Sequence, residues 1–312
     1  MFKKTVLTAA LCVAAALAGS AGAQQQQYIP MISKGFQHQF WQAVKAGAEQ
    51  AGKDYNVRIT FEGPETEAMV DKQIDMLSSA LAKHPAAIGF AALDSKAAIP
   101  LLKKAQAAKI PVIAFDSGVD SDIPTTTATT DNKAAAALAA DKMAQLIGDA
   151  GEVALVVHDQ TSRTGIDRRD GFVERMKAAH PNVNVVSVQY GAGDHLKSTE
   201  IAKSMLQAYP SLKGIFGANE GSIAGVINAV RETHRKIVVI GYDSGKQQKD
   251  AIREGIEAGA ITQNPVGIGY KTVEAAVKTL KGEKVPKVID TGFYWYDKTN
   301  IDDPKIAAVL YD

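Results

Sequence analysis

From Tyr28 onward, short runs of β-branched and apolar residues alternate with longer segments whose apolar positions recur every three or four residues. The short runs suit strands, and the longer periodic segments suit helices with one buried face. Strands are predicted at Tyr28 to Ser33, Val57 to Phe61, Ala87 to Ala91, Val112 to Phe115 and Thr125 to Thr130, then at Glu152 to Val157, Val183 to Val188, Gly214 to Gly217, Ile237 to Gly241 and Ala260 to Gln263. Between them, Met69, Val70, Ile74, Leu77 and Leu81 share one face of a helix predicted over Glu67 to Leu81, and Ile201, Met205 and Leu206 do the same further on. Several strands show no polar alternation, which predicts parallel sheets covered by helices on both faces.

A repeat runs through this pattern. Pro85-Ala-Ala-Ile-Gly-Phe-Ala-Ala-Leu-Asp-Ser leads through a helix and a further strand to Phe115-Asp116-Ser117-Gly, and Pro210-Ser-Leu-Lys-Gly-Ile-Phe-Gly-Ala-Asn219-Glu-Gly-Ser leads in the same way to Tyr242-Asp243-Ser-Gly. Two copies of one α/β unit predict two similar lobes. Each aromatic-Asp-Ser-Gly turn directly follows a buried strand, at the carboxyl end where open α/β sheets bind ligands. Either turn alone is ordinary turn chemistry; equivalent turns in both copies point to a cleft with an aspartate from each side.

The length of 312 residues accommodates two such units. Ahead of them, Lys3 and Lys4 precede an apolar run from Thr5 to Ala18 and small residues ending at Ala21-Gly22-Ala23, the three-part pattern of a secretory signal. The run is too short to span a bilayer as a helix, which takes about 20 residues, so residues 1–23 are predicted to be removed and the mature chain to begin at Gln24. The one cysteine, Cys12, would leave with the signal, and the formal charge would pass from +1 to −1. A disulfide framework and a basic field for nucleic acid are both excluded for such a mature chain.

Enzyme motifs are weak. The six histidines, His38, His84, His158, His180, His195 and His234, include no i, i+4 pair and no HExxH, so no metal site is expected. Gly241-Tyr-Asp-Ser-Gly245-Lys246 has three residues between its glycines rather than four and is followed by Gln247, which rules out a phosphate loop. Neither a strand followed by GxGxxG nor a GxSxG elbow is present, and no cofactor is called for. What remains are polar and aromatic residues near strand ends. Gly35-Phe36-Gln37-His38-Gln39-Phe40-Trp41 opens a helix, and neighbours such as Phe40 and Trp41 diverge by about 100 degrees, so both cannot face the core and at least one ring is expected to turn toward the cleft. Arg168 and Arg169 sit close to a helix start, where the macrodipole disfavours cations. One of them is expected to pair with Asp167 or Asp170, and the other to offer its planar fork to hydroxyl or carboxylate oxygens.

Taken together, His38-Gln39-Phe40-Trp41, Phe115-Asp116, Arg168 in Arg-x-x-Gly-Phe, Asn219 in Gly-Ala-Asn-Glu, Tyr242-Asp243 and Gln263 make the mature chain resemble the periplasmic sugar-binding proteins of ABC importers, of the ribose- and galactose-binding type with the type I periplasmic binding fold. The resemblance implies that Phe40 and Trp41 stack on a sugar while Asp116, Arg168, Asn219, Asp243 and Gln263 bond its hydroxyls. Ser33, Phe36, His38, Ser117 and Tyr242 complete the candidate ligand-binding set. Three departures stand out: Ala91 replaces the family's asparagine after the third strand, Ser117 replaces its arginine after the cleft aspartate, and Gly193 replaces an aromatic that closes the pocket. Such losses imply a ligand of different size or shape from ribose.

The resulting expectation is a periplasmic binder of a monosaccharide or polyol that closes about a three-stranded hinge and delivers its ligand, as a monomer, to a membrane permease. The hinge crossings are predicted near Thr129 to Asp131, Gln263 to Pro265 and Asp290 to Gly292, giving one lobe of residues 24–129 plus 265–290 and another of 130–264 plus 291–312. Two alternatives remain open at this level, an exported sugar-active α/β enzyme using Asp116 and Asp243 as a carboxylate pair, and a periplasmic receptor for a sugar-like signal.

Overall fold

The computed structural model describes residues 26–311; the predicted signal segment and its cleavage point lie outside the described residues. In chain order the elements of the first half are β1 (Tyr28–Ile32), α1 (Gln39–Asp54), β2 (Arg58–Glu62), α2 (Val70–Ala82), β3 (Ile88–Phe90), α3 (Ile99–Ala107), β4 (Val112–Phe115) and β5 (Thr126–Thr129). There follow α4 (Asn132–Ile147), β6 (Gly151–Val157), α5 (Arg163–Ala179), β7 (Val183–Tyr190), α6 (His195–Ala208), β8 (Leu212–Gly217), α7 (Glu220–Thr233), β9 (Val238–Tyr242), α8 (Lys246–Glu254) and β10 (Gly259–Gln263). The chain closes with α9 (Pro265–Leu280), β11 (Val288–Asp290), β12 (Phe293–Tyr296) and the short α10 (Pro304–Ala307).

The strands form two six-stranded sheets, ordered β11-β5-β4-β3-β1-β2 and β12-β10-β9-β8-β6-β7. The architecture is therefore α/β with a helix-flanked, mostly parallel sheet in each of two lobes. Every pairing is parallel except β10 with β12, where Ala260 faces Tyr296 and Gln263 faces Phe293. Helices cover both faces of each sheet. In the first lobe, α1 and α9 pack against Ile29, Met31, Ile113 and Phe115, while Leu77 of α2 and Leu102 of α3 cover Ile32, Ile88 and Phe90. In the second, α4 and α5 lie over Val153, Leu155 and Val157, with Phe172 stacked on Phe216 at 4.8 Å, and α6 and α7 cover Ala154, Val156 and Ile215.

The chain passes between the sheets after β5, after β10 and between β11 and β12. The last passage is only Thr291 and Gly292, with Gly292 at φ +79°. Strands β11 and β12 were absent from the sequence-based set, since β11 has three residues and lies at an exposed edge, and the aromatic run Phe293 to Tyr296 adjoins a predicted crossing. Helix α2 begins at Val70 rather than Glu67, because Glu67 is drawn out of the helical path: its amide donates to the Gln37 side chain and its carboxylate accepts the Trp41 indole.

At the seam of α1 and α9 the backbones touch, and a Cβ at Gly269 would overlap the Val44 carbonyl while one at Gly47 would overlap that of Val266. Neither obstacle is a movable side-chain end. Gly269→Ala is expected to lower stability by about 1–3 kcal/mol through overpacking, read as a lower denaturant midpoint at unchanged slope. An unchanged midpoint would show that the helices separate freely.

Candidate functional site

The carboxyl ends of both sheets face one another across a small cavity of about 20 Å³, room for about one water and far below the usual range for small-molecule pockets of about 300–1,000 Å³. The first lobe contributes Lys34, His38, Phe40, Trp41, Glu67 and Asp116; the second contributes His158, Thr164, Arg168, Asn219, Asp243 and Gln263.

The two aspartates are set by matching local structure. Asp116 and Asp243 both adopt positive φ, +54° and +81°, a region that Asp tolerates better than most side chains. Asp116 N donates to Ala128 O of the neighbouring strand at 2.9 Å, and Asp243 N donates to Ile261 O at 2.7 Å. Each carbonyl is tied as well, Asp116 O by the Thr129 hydroxyl at 2.6 Å and Asp243 O by the Tyr296 hydroxyl at 2.8 Å. Gln263 Nε2 then holds Asp243 Oδ1 at 2.7 Å, and Thr130, at the first passage between lobes, donates to Gln263 Oε1 at 2.8 Å.

Of the adjacent arginines, Arg168 is the buried one. Its guanidinium lies 3.7 Å over the Tyr242 ring, Nε donates to Asn132 Oδ1 at 2.7 Å, and one terminal nitrogen donates to Ala218 O at 2.9 Å. Arg169 pairs with Asp170 at 2.7 Å and reaches the Tyr190 hydroxyl. Phe40 and Trp41 meet edge to face at 4.9 Å. The expectation that only one of them joins the core needs correcting: both are buried in the first-lobe core and both reach the cavity, because they occupy the first turn of α1, where core and cavity meet.

Eight of the twelve sequence-based candidates, His38, Phe40, Trp41, Asp116, Arg168, Asn219, Asp243 and Gln263, come together on the cavity wall. The other four lie behind it. Ser33 donates within its own turn to Gly35 O, Phe36 packs edge-on against Phe61 at 5.8 Å, the buried Ser117 hydroxyl has no hydrogen-bond partner among the described residues, and Tyr242 supports Arg168 from below. Lys34, Glu67, His158 and Thr164 were missed. His158 could have been found by the rule that found the aspartates, since it directly follows the carboxyl end of β6.

Charges at the wall are mixed. Burial raises the Asp116 carboxyl to about 6, with Glu67 and Asp243 pushing the same way against Lys34 and Arg168. Burial also pushes Glu67 upward, yet Lys34, His38, His158 and the Trp41 bond outweigh it and hold the group below its ordinary value. Burial and then Lys34 drive His158 downward, so its imidazole is neutral; its Nδ1 is buried with no hydrogen-bond partner among the described residues. Such a surface, with acceptors and donors from both lobes and two rings on one side, can bond a small polyhydroxylated molecule and cover one of its faces.

The lobes touch directly around the cavity. Both oxygens of Glu220 accept first-turn amides of α1, from Gln39 at 2.9 Å and Phe40 at 3.0 Å, so the helix is capped from the opposite lobe. Gln37 donates to Gly193 O at 3.0 Å, Lys246 N donates to Gln39 Oε1 at 2.8 Å, and Ser95 N donates to Thr161 O at 3.0 Å. Gly193 sits at φ +67°, and a Cβ there would come within 3.0 Å of Glu67 Oε2 and 3.4 Å of Asn219 Nδ2.

Residues 29–284 match the family model of the periplasmic binding protein domain. A carbohydrate transporter solute binding protein from Agrobacterium radiobacter, solved in complex with D-arabinose, is 33% identical, with 92% of this chain and 100% of that one covered at a TM-score of 0.89. An ABC transporter solute binding protein from Agrobacterium vitis with bound D-fucose is 34% identical, covering 91% and 100% at a TM-score of 0.88. The D-allose-binding periplasmic protein of Escherichia coli K12 is 26% identical over 82% of this chain and 85% of its own.

Proposed function

Because the chain belongs to the periplasmic binding protein family, we propose that it captures a monosaccharide between its lobes and delivers it to the permease of an ABC importer. The carrying observation is the cavity itself, small, lined from both lobes, and furnished with charged and amide groups opposite Phe40 and Trp41. On this reading Phe40 and Trp41 cover a face of the sugar, while Asp116, Arg168, Asn219, Asp243 and Gln263 bond its hydroxyls. The relatives that bind D-arabinose, D-fucose and D-allose support a monosaccharide and leave pentoses and hexoses both eligible. Residues 24–129 plus 265–290 and 130–264 plus 291–312 act as the two bodies of the clamp, hinged at the three passages. The protein works as a monomer in the periplasm after loss of residues 1–23, with no nucleic-acid partner. A ligand that touches both lobes favours the shut form through those added contacts.

A thermal-shift screen across aldopentoses, 6-deoxyhexoses, hexoses, ketoses and sugar alcohols tests the proposal. Ligand at 100 times its dissociation constant adds about 2.7 kcal/mol, which is expected to raise Tm by about 5 °C or more. The best ligand should be recovered unchanged after prolonged incubation. No shift with any monosaccharide would overturn the reading, and turnover would replace it with an enzymatic one.

A further inference from the structure

Lys34 belongs to the first lobe, two residues beyond β1, and is only 2% exposed. Its ammonium is received by the second lobe. Thr164 Oγ1 lies at 3.3 Å, Ser162 Oγ at 3.4 Å and Asp159 Oδ2 at 3.7 Å. The receiving loop, between β6 and α5, is fixed by its own bonds: Asp159 Oδ1 accepts the amides of Thr161 and Ser162, Asp159 Oδ2 accepts the Ser162 hydroxyl, and Ser162 Oγ caps α5 through the Gly165 amide. The loop and the first turn of α5 present two wall residues, His158 and Thr164, bonded to each other at 3.1 Å.

We propose that Lys34 is a clasp, a buried cation seated in an Asp159–Ser162–Thr164 socket of the opposite lobe, which sets how long the clamp stays shut on its ligand. The inference rests on the sugar-capture reading and adds a residue that governs release. Parting the lobes withdraws the ammonium from all three partners at once, because they lie together on the β6–α5 loop and the first turn of α5. While seated, Lys34 is also part of the cavity wall, so holding the lobes together and walling the ligand are tasks of one side chain. Removing one member of a buried charged pair acts mainly on dissociation, because the partner is left buried and unmatched.

Lys34→Met removes the charge at similar length. Asp159→Asn keeps the oxygen that accepts the Thr161 and Ser162 amides, while losing the charge that faces Lys34 and the acceptor of the Ser162 hydroxyl, and Asp159 is not on the cavity wall. With D-arabinose and D-fucose as probes in stopped-flow measurements, each variant is expected to raise koff about tenfold or more while kon stays within about threefold. The double variant should fall well short of the product of the two effects, because both break one contact. A pair of spin labels at Lys72→Cys and Glu200→Cys, exposed positions on α2 and α6, should show a broader lobe-to-lobe distance in both variants. An Asp159→Asn protein with koff within twofold and an unchanged distance, or strictly multiplicative effects, would overturn the clasp and leave Lys34 as a wall residue. Were neither probe to bind the unaltered protein, that failure would belong to the sugar reading. The clasp would still stand or fall on whether Asp159→Asn broadens the distance in protein without sugar.

Discussion

Replacing Arg168 by alanine is expected to weaken ligand binding by about 30-fold to several thousand-fold. The range follows from the roughly 2–5 kcal/mol cost of truncating one partner of a buried charged hydrogen-bond pair, at about 1.4 kcal/mol per tenfold. Three fixed contacts hold the guanidinium in place, the Tyr242 ring beneath it, Asn132 Oδ1 at Nε and Ala218 O at one terminal nitrogen. Donors beyond those two bonds are left for the cavity. Being preset, they lose little freedom when a ligand arrives. The fold should survive, since Asn132 still accepts the Tyr242 hydroxyl at 3.0 Å. Arg169→Ala is the matched control: its 30% exposed side chain makes a surface pair with Asp170, of a kind worth about 0–1 kcal/mol, and affinity should stay within about twofold. Calorimetric titration of both variants decides the assignment, and the reverse pattern would move the ligand contact to Arg169.

Ligand affinity should also fall as the medium is acidified, by up to about 100-fold between pH 7 and 4, through Asp116. In the folded protein this carboxyl is raised from its ordinary 3.8 to about 6 by burial. A raised folded value means that the protonated form stabilises the unliganded fold, fully below about pH 3.8 and with loss as pH rises through about 6. Sugar hydroxyls reverse the preference, because bonds donated to the carboxylate favour its charged form. Binding therefore expels a proton inside this window, and each unit by which the ligand lowers the group is worth tenfold in affinity. Titrations in buffers of different ionisation enthalpy would count the proton. Glu220 is also raised, by burial first, so acid could act there too; Asp116→Asn separates the two by abolishing the slope that Asp116 causes. A slope of undiminished steepness in Asp116→Asn, or affinity that rises on acidification, would remove Asp116 from the ligand's partners.

The parts of the site that were legible in the sequence are those written locally. The matched Phe-Asp-Ser-Gly and Tyr-Asp-Ser-Gly turns announced themselves by repetition, and their matching backbone bonds in the two sheets show why a copied segment repeats its chemistry. Arg168 was marked out from its neighbour Arg169 only by the resemblance, and the expectation that the two oppose a helix dipole needs correcting, since α5 begins at Arg163 and both arginines lie beyond its first turn. Lys34 and Glu67 were not visible, for a common reason: the groups that define them lie far away in the chain. A lysine beside a glycine after a strand looks like a solvated loop residue until Asp159, Ser162 and Thr164 are brought to it, 125 or more residues later. Glu67 fits a helical period, and only the Trp41 and Asn219 side chains at 2.9 and 3.5 Å reveal its other use. The antiparallel edge strand β12 was hidden for a different reason, since direction in a sheet is set by where the preceding crossover lands and not by the strand's own residues.

The contacts that shut the clamp draw heavily on the main chain: the Gln39 and Phe40 amides on Glu220, the Gly193 carbonyl on Gln37, the Lys246 amide on Gln39 and the Ser95 amide on the Thr161 carbonyl. Peptide groups persist through almost any substitution, whereas the cavity is lined by side chains. Lys34 apart, machinery for movement and machinery for choice are thus inscribed in different groups, the first in peptide groups and in the Glu220, Gln37 and Gln39 side chains off the wall, the second in the lining. A lineage can exchange one sugar for another by altering a handful of lining residues, with no need to reinvent the hinge, and a protein engineer can retune selectivity while inheriting the motion intact.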